Sequence, residues 1–385
     1  MEKICKIMKK CGGCNMLDKP YDKTIEIKKQ NVLDCLKNEN INTHIDNVIK
    51  ASNPYEYRNK MIVAFKYENG KVISGFYEEG SHNIVDMDSC IMHTPLQNKI
   101  FNLIKNKVKR LRISIYDEYR RRGLLRYVLI REAINTNQIL VTFVTSEEMF
   151  PGRKELIKDL KAIKEVRTIV QNINNRQTSI VLGEKEKVLY GPGYIEDMLC
   201  GLKFRITSKS FYQVNTVQAE KLYNEVVKYS DFSKSDAIID AYSGIGTIGM
   251  IMSSHVKNVI SVENNKQAVK AAIEASRINN ISNCRFYTAD ATEFMKDIDT
   301  IDAVIMDPPR SGSTVEFLES LIRLSPKKII YVSCGPDTLA RDLKVLLKKY
   351  KISHISIVDM FCFTKHIETV VCLENKNITL NNDKG

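Results

Sequence analysis

Hydrophobic positions repeat with two different periods along the chain, and the change of period divides it. Between residues 20 and 38, Ile25, Val32, Leu33 and Leu36 fall at helical spacing among charges, which predicts one amphipathic helix with Cys35 near its apolar face. From Ile49 to Ile180 the pattern turns to short alternating runs. KMIVAFKYENGKVISGFYEE carries Glu68-Asn69-Gly70 between two such runs, a hairpin signal. Further strands are predicted at YVLIREA, QILVTFVT, TIVQNIN and QTSIVLG, with a helix at PLQNKIFNLIKNKVKRL. These elements make an antiparallel β-rich central domain. From Tyr190 onward, strands alternate with helices: AIIDAYSGIGTIGMIMS, NVISVENNKQAVKAAIEASRINN, NCRFYTAD, IDAVIMDPPRSG, then two last strands in ISIVDMFCFTKHIETVVCLEN. Alternation of this kind predicts a doubly wound α/β sheet. The polar tail after Glu374 is expected to fray.

Within the second half, KKIIYVSCGPDTLARDLK reads as a buried strand, a Cys334-Gly335-Pro336 turn and a helix with leucines at 339, 343 and 347. Cys334 is thereby expected in front of a helix N-terminus, whose field favours thiolate over thiol. A free cysteine is more often a small buried hydrophobe, and this segment alone favours that reading. The remaining motifs reverse it.

Length and charge add less. The chain has 385 residues, room for two or three domains of about 150 residues, and no apolar run of the ~18 residues a spanning helix needs. The opening residues lack the apolar core of a secretory signal, so a cytoplasmic protein is expected, without a membrane partner. A net charge of +12 points to a polyanion, weakly, because the sequence is rich in Lys, Asn and Ile throughout. PYEYRNKM (Tyr55, Tyr57, Arg58, Lys60) and YRRRGLLRY (Arg120, Arg121, Arg122, Arg126) interleave aromatics with cations. They read equally as a single-stranded nucleic-acid surface or as ordinary solvated strand faces.

Ten cysteines in a cytosolic chain argue for metal or catalysis over disulfides. Cys5, Cys11 and Cys14 open the chain as C-x5-C-x2-C, with Gly12-Gly13 allowing a tight fold. A fourth ligand is required; Cys35 and Cys90 are the nearest candidates, and Cys90, after a strand-like region, is preferred. Zinc accepts four thiolates, but thiolate-only ligation at this irregular spacing favours an iron–sulfur cluster.

Gly244-Ile245-Gly246-Thr247-Ile248-Gly249 is a G-x-G-x-x-G loop between a strand and a helix, and Glu263 ends the next strand. The pattern reads as a nucleotide site with a ribose acceptor and does not choose between a dinucleotide and S-adenosylmethionine. Its place in the C-terminal half, followed by Asp290 and by Asp307-Pro308-Pro309-Arg310 at strand ends, favours S-adenosylmethionine.

Taken together, CGGC, SFYQVN, DAYSGIGTIG, SVE, DPPRSG, VSCGPDTLARDL and HIETV, in this order, resemble the RNA (uracil-5-)-methyltransferases, in the branch that carries an iron–sulfur cluster. The resemblance covers nearly the whole chain. It implies a Rossmann-like catalytic domain in which Cys334 is the nucleophile and Glu368 the general base. Gln213, Tyr242, Glu263 and Asp307 become the S-adenosylmethionine contacts, with Asp290 a weaker candidate. Cys5, Cys11, Cys14 and Cys90 become the ligands of a 4Fe–4S cluster. The family's helix after CGGC packs on the catalytic domain, which implies a discontinuous division: residues 1–16 and 49–208 for the central domain, 17–48 and 209–385 for the catalytic one.

Two departures stand out. Ser333-Cys334-Gly335-Pro336 replaces the Ser-Cys-Asn-Pro of many members, losing a side-chain hydrogen bond. Many members also carry an N-terminal oligonucleotide-binding β-barrel, for which the residues before Cys5 leave no room, so RNA affinity is expected to rest on the central domain and the net charge. The implied substrate is a uridine of 23S rRNA, ahead of uridine 54 of tRNA, acted on by a monomer. Competing readings are transfer to cytosine carbon 5 or an exocyclic amine, a non-catalytic RNA-binding protein, and a nicotinamide-dependent oxidoreductase.

Overall fold

The computed structural model describes residues 3–377. Two compact units form, each from separate stretches of chain: Met1–Asp18, Asn53–Leu199 and Phe204–Thr216 in the first, Lys19–Ser52, Cys200–Lys203 and Val217–Gly385 in the second. Residues 209–216, expected with the catalytic domain, lie in the first unit.

In chain order the elements are α1 (Tyr21–Asn38), β1 (Asn47–Ile49), β2 (Lys60–Glu68), β3 (Lys71–Tyr77), β4 (Ile84–Asp86), α2 (Pro95–Arg110), β5 (Leu125–Ala133), β6 (Gln138–Thr145), α3 (Arg153–Lys161), β7 (Val166–Ile173), β8 (Lys185–Tyr190) and the hairpin β9 (Ile195–Leu199) and β10 (Leu202–Ile206). There follow α4 (Thr216–Ser230), β11 (Ala237–Ala241), α5 (Thr247–Met252), β12 (Asn258–Glu263), α6 (Lys266–Ile278), β13 (Cys284–Thr288), α7 (Ala291–Lys296), β14 (Ala303–Met306), α8 (Val315–Leu324), β15 (Lys328–Ser333), α9 (Pro336–Leu346), β16 (Tyr350–Val358) and β17 (Glu368–Asn375).

In the first unit, seven strands run in the order β4-β3-β2-β5-β6-β7-β8. The β2–β3 hairpin turns at Asn69 and Gly70, both at positive φ (48° and 78°), as a two-residue primed turn demands. Helix α2 starts on a capping box in which Thr94 accepts from the Gln97 N–H and the Gln97 side chain from the Thr94 N–H. Its buried face, Ile100, Phe101, Ile104 and Val108, packs with β2, β5 and β6 side chains in one core. The expectation of a wholly antiparallel sheet is corrected here. β6 and β7 pair in parallel, because α3 crosses between them, a nine-residue helix whose buried face is only Leu156 and Leu160. QTSIVLG is not a strand: Ile180 is 60% exposed, and the edge strand β8 forms later.

The second unit is an eight-stranded mixed sheet, β1-β16-β17-β15-β14-β11-β12-β13. Strands β13, β12, β11, β14 and β15 are parallel, and β17 inserts antiparallel between β15 and β16. Sequence order reverses between β11 and β14, which opens a crevice at the carboxyl ends of those strands, where doubly wound sheets bind ligands. Helix α1 belongs to this unit. On its buried face Lys28, 1% exposed, pairs with the equally buried Asp359 at 2.5 Å, and the Tyr21 hydroxyl donates to the same carboxylate at 2.7 Å. A buried charge is tolerated when paired and hydrogen-bonded in this way, and removing one partner typically costs about 3–5 kcal/mol. Of the tail, Asn375 is not frayed: it ends β17 opposite Tyr350 and is 2% exposed. Residues 378–385, which carry the rest of that expectation, lie outside those described.

Candidate functional site

Six connections of the second unit, after β11, β12, β13, β14 and β15 and before β17, lie at the carboxyl end of its parallel strands. After β11, Tyr242, Gly244 and Gly246 take positive φ (61°, 56° and 74°), so the chain turns sharply into α5. A Cβ at Gly249 would stand 2.7 Å from Asp240 Oδ2 and 2.8 Å from Ser261 Oγ, so the third glycine permits α5 to pack on the sheet. A Cβ at Gly244 would meet nothing within 4 Å; its backbone faces open space, available to a ligand. Glu263 ends β12 and accepts from the Gly244 N–H at 3.0 Å and the Asn265 N–H at 2.7 Å. Its carboxylate is therefore fixed beside the glycine loop with further acceptor capacity. Tyr242 is held by its hydroxyl contact with Ser313 Oγ at 2.8 Å and by Phe317, 5.3 Å between ring centroids. Asp290 caps α7, accepting from the N–H groups of Thr292 and Glu293, so a structural duty occupies it.

Asp307 follows β14. Burial pushes its carboxyl up to about 7, and burial likewise raises Asp240, beneath the glycine loop, to about 7. Cys334 follows β15 and is half-buried. Glu368 begins β17, 5% exposed, and burial first, then the charge of Asp307, raises its pKa well above the carboxylate range. The thiol of Cys334 is raised too, first by burial, then by Glu368 and Asp307, against the lowering effect of Arg310, which hydrogen-bonds it. Burial and the two neighbouring acids thus work against the thiolate that the α9 N-terminus was expected to favour. Arg310, Cys334, Glu368 and Asp307 form one electrostatically coupled group drawn from three loops.

Arg310 was quoted in its motif and given no role by sequence reasoning. Its loop is fastened to α9: Asp342 accepts from the Ser313 N–H at 2.8 Å and the Tyr331 hydroxyl at 2.6 Å, while Arg341 donates to the Ser311 and Ser313 carbonyls. At Gly312, φ is 76° and any Cβ would collide with Arg341. The signal was present in the spacing of DPPRSGS and LARDL, but only the fold pairs them.

Gln213 lies in the first unit, in the loop before α4, where its carbonyl accepts from Asn59 Nδ2 at 2.8 Å. In that unit Cys5, Cys11, Cys14 and Cys90 line one pocket together with Arg58, Phe76 and Met92. The backbone of Gly13 ties this loop down: its N–H points at Cys11 Sγ (3.4 Å) and its carbonyl accepts from Arg58 at 2.8 Å. Cys14 is pushed up to about 12, first by burial and then, against Arg58, by the other three sulfurs. Among the described residues no group of three or more His, Cys, Asp or Glu side chains is arranged to hold a single metal ion. Cys35 is elsewhere, packed against the core of the second unit.

The two aromatic–cation segments part company. Tyr57 and Arg126 are buried and Arg58 is half-buried, its guanidinium donating to the Gly13 carbonyl; Arg126 donates to the carbonyls of Asn174 and Arg176 and pairs with Glu118 at 2.7 Å. The nucleic-acid reading of PYEYRNKM is corrected accordingly, while Arg120, Arg121 and Arg122 stay exposed.

A profile of the tRNA (uracil-5-)-methyltransferases matches residues 20–376. Uncharacterised RNA methyltransferases of Clostridium tetani and Halalkalibacterium halodurans are each 38% identical, over 97% and 98% of this chain and 83% and 84% of their own. Among solved structures, the tRNA (uracil-54, C5)-methyltransferase of Pyrococcus abyssi, in complex with S-adenosyl-L-homocysteine, superposes with a TM-score of 0.80 at 28% identity, over 94% of this chain and 86% of that one. No helix among the described residues is long and apolar enough to cross a membrane.

Proposed function

Since the chain belongs to the tRNA (uracil-5-)-methyltransferase family and is an S-adenosylmethionine-dependent RNA methyltransferase, we propose that it methylates carbon 5 of a uridine in 23S rRNA, with Cys334 as nucleophile and Glu368 as base. The observation that carries the two residue roles is the grouping of Cys334, Glu368, Asp307 and Arg310 at one end of one sheet; it does not choose the RNA.

Uracil carbon 5 is a weak nucleophile. The Cys334 thiolate adds to carbon 6, and the electron pair of the 5,6 double bond becomes an enolate with its nucleophilic end at carbon 5. S-adenosylmethionine, when bound, would supply an electrophilic methyl group to that carbon, its S–CH3 bond breaking to leave S-adenosylhomocysteine. Glu368 must first ionise, and its raised pKa then makes it the stronger base: it takes the carbon 5 proton, and the electron pair re-forms the double bond as the thiolate leaves. Arg310 stabilises the sulfur anion on departure. The base must leave its stack for both ring faces to be reached. Gly244, Tyr242, Glu263 and Asp307 hold the donor: open backbone, an aromatic face, a ribose acceptor and a carboxylate for a cation.

For the cysteine pocket we propose a 4Fe–4S cluster on Cys5, Cys11, Cys14 and Cys90. Four sulfurs facing one pocket support it, and a single zinc at about 2.3 Å from each would need a tighter grouping. Arg58 is placed to offset the charge of bound thiolates. The family profile and the Pyrococcus neighbour favour tRNA as the second substrate reading; mapping 5-methyluridine in both RNAs, with and without the gene, decides between them. The mechanism is tested on a denaturing gel with radiolabelled methyl donor. Cys334→Ala should give neither adduct nor product. Glu368→Gln should trap a methylated protein–RNA species and slow turnover by about 10²–10⁴-fold. Turnover of Glu368→Gln at the parent rate would assign the base elsewhere.

A further inference from the structure

The loop between α2 and β5 ends in a tip, Asp117 to Arg122, in which both acids have fixed partners and Arg120 also lies 4.0 Å from the Asp117 carboxylate. Asp117 is spent on the turn: its carboxylate accepts from the N–H groups of Tyr119 (2.9 Å) and Arg120 (3.0 Å). Its backbone closes the tip, the N–H donating to Arg122 O and the carbonyl accepting from Arg121 N, both at 2.8 Å. Glu118, itself exposed, pairs with the buried Arg126 at 2.7 Å. At the base, Gly123 has φ +104°, and a Cβ there would lie 2.1 Å from the Ile115 carbonyl oxygen, so the two arms close tightly. What remains outside is Tyr119, 97% exposed, with Arg120, Arg121 and Arg122.

We propose that this tip is an RNA-contacting finger, in which Tyr119 stacks on an unpaired base and the three arginines hold the phosphates beside it. The proposal rests on the RNA-methyltransferase reading and names the surface that meets the RNA. A loop that only kept the protein soluble would gain nothing from a fully exposed tyrosine on a turn pinned by five hydrogen-bonded or steric constraints of its own. A stacking platform gains from that rigidity, because a backbone already ordered leaves only the ring's own rotation to be lost on binding. Unpaired bases are the target, since a duplex hides the faces that a tyrosine can cover.

The test uses the full chain and a fluorescein-labelled twelve-nucleotide single-stranded RNA, with the corresponding blunt duplex, followed by anisotropy across a salt series. Tyr119→Ala should weaken single-strand binding at least about fivefold, the lower end for one base–aromatic stack, and leave duplex binding unchanged. Replacing Arg120, Arg121 and Arg122 together by Gln should flatten the slope of log affinity against log salt by about 2, from ~0.7 per phosphate contact. Both variants should keep the parent's thermal shift with S-adenosylmethionine, which reports an intact fold. Parent-like affinity and slope in both variants overturn the finger and leave the patch to some other polyanion. Failure of the parent itself to bind either RNA overturns the substrate reading as well, and so is told apart from failure of the finger alone.

Discussion

On the roles proposed above, the two cysteine sites would put one side chain to opposite uses. In the first unit four sulfurs share a pocket with Arg58, and burial together with mutual repulsion raises Cys14 to about 12. Such thiols give up their protons only to a stronger positive charge, which a metal centre supplies. In the second unit one sulfur stands among Glu368, Asp307 and Arg310. There the protons can be redistributed without a metal, since carboxyls with raised pKa values and an arginine surround the thiol. The difference teaches that neither burial nor a helix terminus labels a cysteine catalytic; the neighbouring charges do.

The sharpest way to break this comparison is to exchange the lesions. Cys334→Ala should abolish methyl transfer and leave the iron content and brown colour of anaerobic protein intact. Cys90→Ser should bleach the protein, while Cys35→Ser should not. A colourless anaerobic parent carrying one zinc would end the cluster proposal, and uridine methylation by Cys334→Ala would end the covalent mechanism.

A smaller effect is expected at the donor site. Glu263→Ala removes an acceptor fixed by Gly244 and Asn265. Calorimetric titration should show S-adenosylmethionine affinity reduced by ~1.5–3 kcal/mol, the range for a hydrogen bond to a charged group. A dinucleotide that shifts the melting temperature where S-adenosylmethionine does not would favour the oxidoreductase reading.

The mildest effect is in pH. Asp307 and Asp240 are raised to about 7, above the ~3.9 of an unfolded aspartate. A raised carboxyl stabilises the fold fully below the unfolded value, and that stability is lost as pH climbs from about 4 to 7. A cationic donor favours the ionised form. Its affinity should therefore rise with pH, at most tenfold per unit, and level off above about 7. Asp307→Asn should flatten the profile; an unchanged profile in that variant assigns the titration to Asp240.

How much was legible follows the range of the interactions. Helix α1, the β2–β3 hairpin, the glycine loop and the strands ending at Glu263, Asp307 and Cys334 were readable, because period, turn chemistry and strand-to-helix order are local properties. Helix α3 was missed, and with it the parallel β6–β7 pair, because nine residues with two buried leucines barely carry a period. Lys28 and Arg126 read as surface charges until the fold brought Asp359 and the Asn174 and Arg176 carbonyls to them.

By itself the sequence determined the family, the two-unit order of β-rich and α/β segments, and which residues could do chemistry, since those depend on residue type and on spacing along the chain. Tertiary structure alone decided that Cys334, Glu368, Asp307 and Arg310 share one electrostatic environment, that the thiol is raised instead of lowered, and which of two aromatic–cation segments faces water. The physical reason is that desolvation and charge coupling depend on distance in space, and residues up to 61 positions apart, Asp307 and Glu368, acquire that distance only when β14, β15 and β17 come together in one sheet.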